Sequence, residues 1–251
     1  MKTSLVLQNV SAGYGAANHP ALSNVNLQAE EGELLVIAGP NGSGKTTLLK
    51  TAGGLIPPLA GKVTINGREI RSLKNRERAA LTAFLFQSRD MPWPFTVRET
   101  VAQGCFYRRG WLGAETRSDR EAINAAIEKA DLAALAGRRI TEISGGELQR
   151  VYIARCIAQG ASFLILDEPE NNLDPKYSYK IMSLLRDLAG EGRGVIISIH
   201  DLRLASRFAC KIALLSGGTV SALGPPTEVL SVEKLSKVYD LEAGLVQSLI
   251  L

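Results

Sequence analysis

The stretch Gly39-Pro40-Asn41-Gly42-Ser43-Gly44-Lys45-Thr46-Thr47 restricts what this chain can fold into more than any other part of it. It follows the apolar run Leu34 to Ala38 and precedes a helix-like segment, so a strand ends and a helix begins around it. The glycines let backbone N–H groups converge on one point, and the helix that follows directs its positive end at the same place. That builds an anion site from main chain. In a G-x-x-x-x-G-K-[ST] loop, Lys45 would reach the β- and γ-phosphates of a nucleotide and Thr46 would offer a hydroxyl to Mg²⁺. Taken by itself, the stretch also reads as a glycine-rich turn that binds some other anion.

The chain has 251 residues, enough for one large or two small domains with a sizeable core, and its 45% hydrophobic and 22% charged residues are those of an ordinary globular protein. No apolar run approaches the roughly 20 residues of a membrane-spanning helix, which argues against a channel. Met1 to Ser4 lead directly into an alternating strand pattern without the apolar segment of a signal peptide, so a cytoplasmic location is expected. Cys105, Cys156 and Cys210 lie far apart with no C-x-x-C spacing, and buried free thiols are expected instead of disulfides or a zinc site. The net charge of +4 is a mild excess that suits an anionic ligand or membrane surface without identifying either.

Leu5 to Val10 alternate apolar and polar, and Val25 and Leu27 resume the pattern after a Gly/Asn/Pro-rich connection, as in an antiparallel hairpin. Tyr14 sits in that connection, where it either stacks on a purine or covers the sheet edge. A helix is expected from about Gly44 to Gly53, strands over Lys62 to Ile65 and Ala83 to Phe86, and a turn at Asn66-Gly67. From Ser88 to about Arg139 the pattern becomes helical, with capping-box spacings at Thr96/Glu99 and Ser118/Glu121 and an apolar stripe through Ile123, Ala126 and Ile127. The basic and aromatic Phe106 to Leu112 reads as a contact surface or as a solvated loop. Alternation of strand and helix then returns, with a helix from Gly146 to about Gln159 and strands at Phe163 to Leu166, Val195 to Ile199, Ile212 to Leu215 and Val220 to Leu223. Two short helices and a tail are expected over 226–251.

Two further segments carry chemistry. Phe163 to Leu166 deliver Asp167 and Glu168 to the carboxyl end of a buried strand, the edge at which α/β sheets bind ligands. Two acids after an apolar run often do no more than end a strand. With a phosphate loop upstream, Asp167 is placed to orient a Mg²⁺ ligand and Glu168 to take a proton from attacking water. Ile143-Ser144-Gly145-Gly146-Glu147-Leu148-Gln149-Arg150 holds a capping box, Ser144 with Glu147, and a glycine-rich helix start that also reads as a second anion site.

In order and spacing, the 39–47 loop, Gln87, the segment 143–150, Phe163 to Pro169, Asn171-Asn172-Leu173-Asp174 and His200 resemble the nucleotide-binding subunit of ATP-binding-cassette (ABC) transporters over nearly the whole chain. The resemblance implies an α/β P-loop ATPase with a mixed central sheet, an N-terminal antiparallel β subdomain and a helical subdomain. It implies one ABC domain, with a core over about 1–87 and 140–225, a helical part over about 88–139 and a helical tail over about 226–251. It further implies ATP and Mg²⁺ as ligands and closure of two copies head to tail. Tyr14 would stack on adenine, and Gly39 to Thr47 with Lys45 would hold phosphate. Thr46, Gln87 and Asp167 would serve the metal, Glu168 would be the general base and His200 would contact the γ-phosphate. Ser144, Gly145, Gly146 and Glu147 would meet the partner's nucleotide, and Asp174 would couple the two sites. Ile143 and Glu147 depart from the usual LSGGQ signature, and Glu170 stands where threonine is common.

Gln87 to Gly104 resembles the segment with which importers receive a helix of their membrane subunit, and residues 229–240 resemble the tail of ATPases serving iron-chelate, haem and vitamin B12 importers. The implied partners are a second copy, a membrane permease and, indirectly, a substrate-binding protein. The implied place is the cytoplasmic face of the membrane. A soluble ABC-type ATPase, such as an iron–sulfur assembly factor, is the competing reading. No nucleic-acid partner is expected, because the long heptad insertion of the DNA-repair versions is absent.

Overall fold

The computed structural model describes residues 2–14, 20–85, 94–109, 113–171 and 173–250. The strands are β1 (Ser4–Ala12), β2 (Leu22–Glu30), β3 (Leu34–Ala38), β4 (Ala60–Ile65), β5 (Arg68–Glu69), β6 (Thr82–Leu85), β7 (Phe163–Asp167), β8 (Gly194–Ser198), β9 (Lys211–Ser216) and β10 (Thr219–Gly224). The helices are α1 (Lys45–Ala52), α2 (Asn75–Leu81), α3 (Val97–Ala102), α4 (Phe106–Arg109), α5 (Arg117–Lys129), α6 (Gly145–Gln159), α7 (Pro175–Gly190), α8 (Leu202–Phe208), α9 (Pro226–Val229), α10 (Val232–Tyr239) and α11 (Ala243–Ile250).

Two sheets form. β2, β1, β4 and β5 make an antiparallel sheet, and the second has the order β10-β9-β3-β8-β7-β6. In the second sheet β9, β3, β8, β7 and β6 pair in parallel and β10 joins β9 antiparallel, so the sheet is mixed as expected. Its central strands β3, β7 and β8 are buried at every position and mostly apolar, because both faces are covered there. Successive side chains point to opposite faces, and the two cores divide accordingly. Leu35, Ile37, Phe163, Ile165 and Ile196 join α1 (Leu48, Leu49, Ala52) and the antiparallel sheet in one core. Leu34, Val36, Leu164, Leu166, Val195 and Ile197 join the helices α3, α5, α6, α7 and α8 in the other.

Several elements depart from the sequence reading. β2 is nine residues long and not a short run at Val25 and Leu27, because the inward side chains continue from Leu22 to Ala29. Helix α2 has no counterpart in that reading: none of its residues is buried, so it carries no apolar stripe. Helix α5 is capped by Thr116 and Asp119, two residues before the expected Ser118/Glu121 box. Both pairs have the right spacing. The choice falls on Asp119 because it is buried there, with Arg108 Nε 3.7 Å from its carboxylate. The C-terminal segment forms three helices, since Pro225-Pro226 starts one and Ser231 caps the next. Cys105, Cys156 and Cys210 are free thiols; the first two are buried and Cys210 is partly exposed.

Candidate nucleotide site

Three neighbouring parallel strands end on one edge, each delivering part of the site. β3 leads into the 39–47 loop, β7 ends on Asp167, and β8 ends at Ser198, two residues before His200. This is the crevice beyond the carboxyl ends of the strands, where open α/β sheets take ligands.

The loop is held by close packing that only glycine permits. A Cβ on Gly39, at φ +149°, would lie 2.2 Å from the Leu215 carbonyl oxygen, and one on Gly44, at φ +103°, would lie 2.8 Å from that of Ala21. Gly44 then starts α1 with no side-chain cap and no acid in the first turn, which leaves the helix's first N–H groups open to an anion. Lys45 is buried and its ammonium donates to the carbonyls of Gly39 (2.8 Å) and Pro40 (3.2 Å). Burial lowers its pKa, opposed by the carboxylates of Glu168 and Asp167. The Ser43 hydroxyl is buried in the loop with no hydrogen-bond partner among the described residues. Asn41, Gly42, Gly44, Lys45, Thr46 and Thr47 line a cleft of about 380 Å³ with Ala21 and Glu168.

Asp167 lies beneath the loop. Its Oδ2 accepts from the Thr46 hydroxyl at 2.7 Å, and its Oδ1 accepts from the Ser198 hydroxyl. A threonine hydroxyl and a carboxylate at hydrogen-bond distance are the hard oxygen donors that suit Mg²⁺, which usually takes few protein ligands and completes its shell with water and phosphate. Glu168 follows with φ +49°, a left-handed conformation uncommon outside glycine. The turn separates consecutive carboxylates. Asp167 faces Thr46, while Glu168 pairs with His200 Nε2 through Oε1 and accepts from Asn171 Nδ2 at 2.9 Å through Oε2. The Glu168 amide in turn donates to Ser198 Oγ at 2.9 Å.

Loop, Thr46, Asp167, Glu168 and His200 therefore come together. Ser144, Gly145, Gly146 and Glu147 stand apart, outside the lining of the cleft. Ser144 caps α6: its hydroxyl accepts from the Glu147 amide at 3.3 Å, and the Glu147 carboxylate accepts from the Ser144 amide at 2.8 Å. The Ser144 backbone and side-chain hydrogen bonds hold the Glu147 carboxyl below its usual range. Asp174 likewise caps α7, accepting from the amides of Lys176 and Tyr177 at 3.0 and 3.1 Å. Tyr14 is 64% exposed, and its hydroxyl accepts from Lys50 Nζ of α1 at 3.2 Å, so it stands beside the helix that follows the loop with its ring open to solvent. Gln87 lies outside the described residues.

Sequence reasoning missed Ser198, Asn171 as a partner of Glu168, and the environment of Glu170. Ser198 left a signal, a hydroxyl inside an otherwise apolar strand. Glu170 is 7% exposed; burial, with the negative charges of Glu168 and Asp201, pushes its pKa up to about 7, against hydrogen bonds from backbone amides including that of His200. Its folded-state pKa lies above the unfolded value near 4.5, so charging it destabilises the fold progressively as pH rises from about 4.5 to 7. Glu170→Gln, which never charges, is expected to match the wild type near pH 4.5 and to be the more stable protein at pH 8, as read from thermal unfolding at both values.

A phosphate loop, a strand-end aspartate on the loop threonine, and an adjacent glutamate paired with a histidine define a P-loop site for nucleotide hydrolysis. The chain belongs to the ABC transporter family, as an ATP-binding ATPase domain: the family described as ABC transporter matches residues 22–171. Similar relatives include the hemin import ATP-binding protein HmuV of Rhizobium meliloti (strain 1021), 42% identical over 89% of this chain and 87% of that protein. The protein of the same name from Bordetella avium is 37% identical over 96% and 94% of the two chains. Among solved structures, a transporter described as metal-chelate type, in an inward-facing conformation, aligns with TM-score 0.83 and 27% identity over 95% of this chain and 90% of its own. The ATP-binding cassette MJ0796, solved as a dimer in a post-hydrolysis state with ADP and Pi, aligns with TM-score 0.77 and 33% identity over 88% and 98%.

Proposed function

We propose that this chain is the ATP-binding subunit of an importer and hydrolyses ATP to drive uptake of a metal-chelate substrate of the hemin class through a membrane permease. The observation that carries the chemistry is the Thr46–Asp167 and Glu168–His200 pairing beside the 39–47 loop. What supports the cargo class is similarity over most of the chain to hemin import ATP-binding proteins.

In this reading the loop amides and Lys45 hold the phosphates and Tyr14 stacks on adenine. Mg²⁺ would be held by Thr46 and, through water, Asp167, with Gln87 completing the shell; bound there it would neutralise charge on the β- and γ-oxygens. Glu168 takes the proton of the attacking water, and His200, paired with it, contacts the γ-phosphate. Lys45 and the loop N–H groups stabilise charge developing on the transferred group. Ser144 to Glu147 stand away from the chain's own cleft, as they should if they close over the nucleotide of a second copy in a two-fold dimer, with Asp174 at the interface. The ABC domain spans 1–251, with its core over about 1–87 and 140–225, helical part over about 88–139 and tail beyond.

A groove of about 890 Å³ opens beside the start of α3, lined by Phe95, Ala102 and Phe106 with Glu99, Gln103, Arg109 and Glu115. Its apolar floor and charged rim suit a short helix of the permease. No helix among the described residues is long and apolar enough to cross a membrane, so attachment would be peripheral, on the cytoplasmic face. The test is purification of the tagged chain from its own cells. Recovery with a protein of many spanning helices, in a complex whose ATP hydrolysis rises with a hemin-loaded binding protein, is the expected result. Retention in a soluble complex after membranes are removed would overturn transport in favour of an assembly role.

A further inference from the structure

We propose that Glu170 is a positioning residue for His200, holding with its side chain the backbone from which the imidazole reaches Glu168. The proposal deepens the ATPase reading above and rests on it.

The last ladder pair between β7 and β8 is Asp167 with Ser198. One residue on, the Ile199 amide still finds a backbone acceptor, Ile37, at 3.2 Å. The next amide is that of His200, and its acceptor is Glu170 Oε1 at 3.3 Å. A side chain thus extends the hydrogen bonding of the sheet by one step, at the residue whose imidazole pairs with Glu168.

Glu170 is itself fixed from two sides. The Ser178 hydroxyl of α7 is shared between the Asp174 carbonyl at 3.2 Å and the Glu170 carbonyl at 3.4 Å, and Gln149 of α6 donates to the neighbouring Pro169 carbonyl at 3.0 Å. Its other oxygen, Oε2, is buried without a hydrogen-bond partner among the described residues. Glu168 and Asp201 bring negative charge towards it. A carboxyl in that setting is costly, and a packed apolar residue would serve stability better. What it provides is an acceptor of the right reach at the end of β8. Glu168 and His200 meet across the gap between β7 and β8, so freedom in the His200 backbone would spoil the aim of the pair more than the grip on nucleotide.

The test compares the full-length wild type with Glu170→Gln, which keeps an oxygen acceptor, and Glu170→Leu, which keeps bulk and loses it. With Mg²⁺ and ATP, kcat should fall about tenfold in Glu170→Leu while KM for ATP stays within about twofold, and Glu170→Gln should stay within about twofold in both. The chain has 2 histidines, so in a His19→Ala background the ring signals of His200 can be followed by NMR without nucleotide. They should move in Glu170→Leu and hold in Glu170→Gln. Wild-type kcat in Glu170→Leu, an equal loss in Glu170→Gln, or a raised KM at unchanged kcat would each overturn the proposal. Should Glu170→Leu not fold, Glu170→Ala, which has no side-chain acceptor to offer the His200 amide, takes its place under the same criteria. If the wild type itself does not hydrolyse ATP, the ATPase reading fails, and the His200 signals alone decide the positioning: unmoved in Glu170→Leu, they overturn it.

Discussion

Glu168→Gln protein is expected to bind Mg-ATP and to release phosphate about a thousandfold more slowly than the wild type, within the range general-base catalysis contributes. The amide has the same shape as the carboxylate, and its oxygen can still accept from Asn171 or pair with His200, as the carboxylate does at 2.9 Å and at close range. Ser198 contacts the Glu168 amide and not its side chain, so the turn after β7 stays in place. What is lost is the ability to take a proton from water. Bound ATP then persists, and with it the closed pair of subunits that ATP is proposed to join. Size-exclusion chromatography with and without Mg-ATP should show the variant passing from one copy to two. A strictly monomeric variant with ATP bound would sink the head-to-tail sandwich, and phosphate release at the wild-type rate would remove Glu168 from its role as base.

Lys45→Met should act earlier, on binding. The methionine keeps an unbranched stem in the buried slot and removes the ammonium. Before nucleotide arrives, that ammonium donates to the Gly39 and Pro40 carbonyls, both part of the loop it serves, so these contacts would be exchanged for phosphate oxygens when ATP enters. Hydrogen bonds to charged groups contribute about 1.5–3 kcal/mol each, and two lost contacts predict ATP affinity falling by roughly 10²- to 10⁴-fold. Calorimetric titration with Mg-ATP measures this directly. An affinity within about threefold of the wild type would mean that the loop amides alone hold the phosphates.

The parts of this site legible in the sequence are those whose geometry is local. The 39–47 loop declares itself because strand, glycines and helix start lie within one short stretch, and Asp167 and Glu168 because an apolar strand points at them. The Ser144/Glu147 and Thr96/Glu99 caps were legible for the same reason and form as read. The Ser118/Glu121 box was not formed, since what selects Thr116/Asp119 is Arg108, on another helix. Ser198 and Glu170 act across thirty residues or so of chain, at separations of 31 and 30 from their partners, and no local pattern reports such a meeting. Glu170 in particular stands where threonine is common, and its partner, the His200 amide, belongs to a different strand end.

The left-handed turn at Glu168 implies that the site and the fold want different residues there. An L-residue with a side chain pays about 1 kcal/mol or more to sit at φ +49°, whereas glycine sits there freely. Glu168→Gly and Glu168→Ala lose the same His200 and Asn171 contacts, and only the glycine sheds the strain, so Glu168→Gly should resist urea the better of the two while both hydrolyse almost nothing. The conformation that aims the base is thus a local cost the chain bears for its chemistry, offset by the contacts the carboxylate makes there.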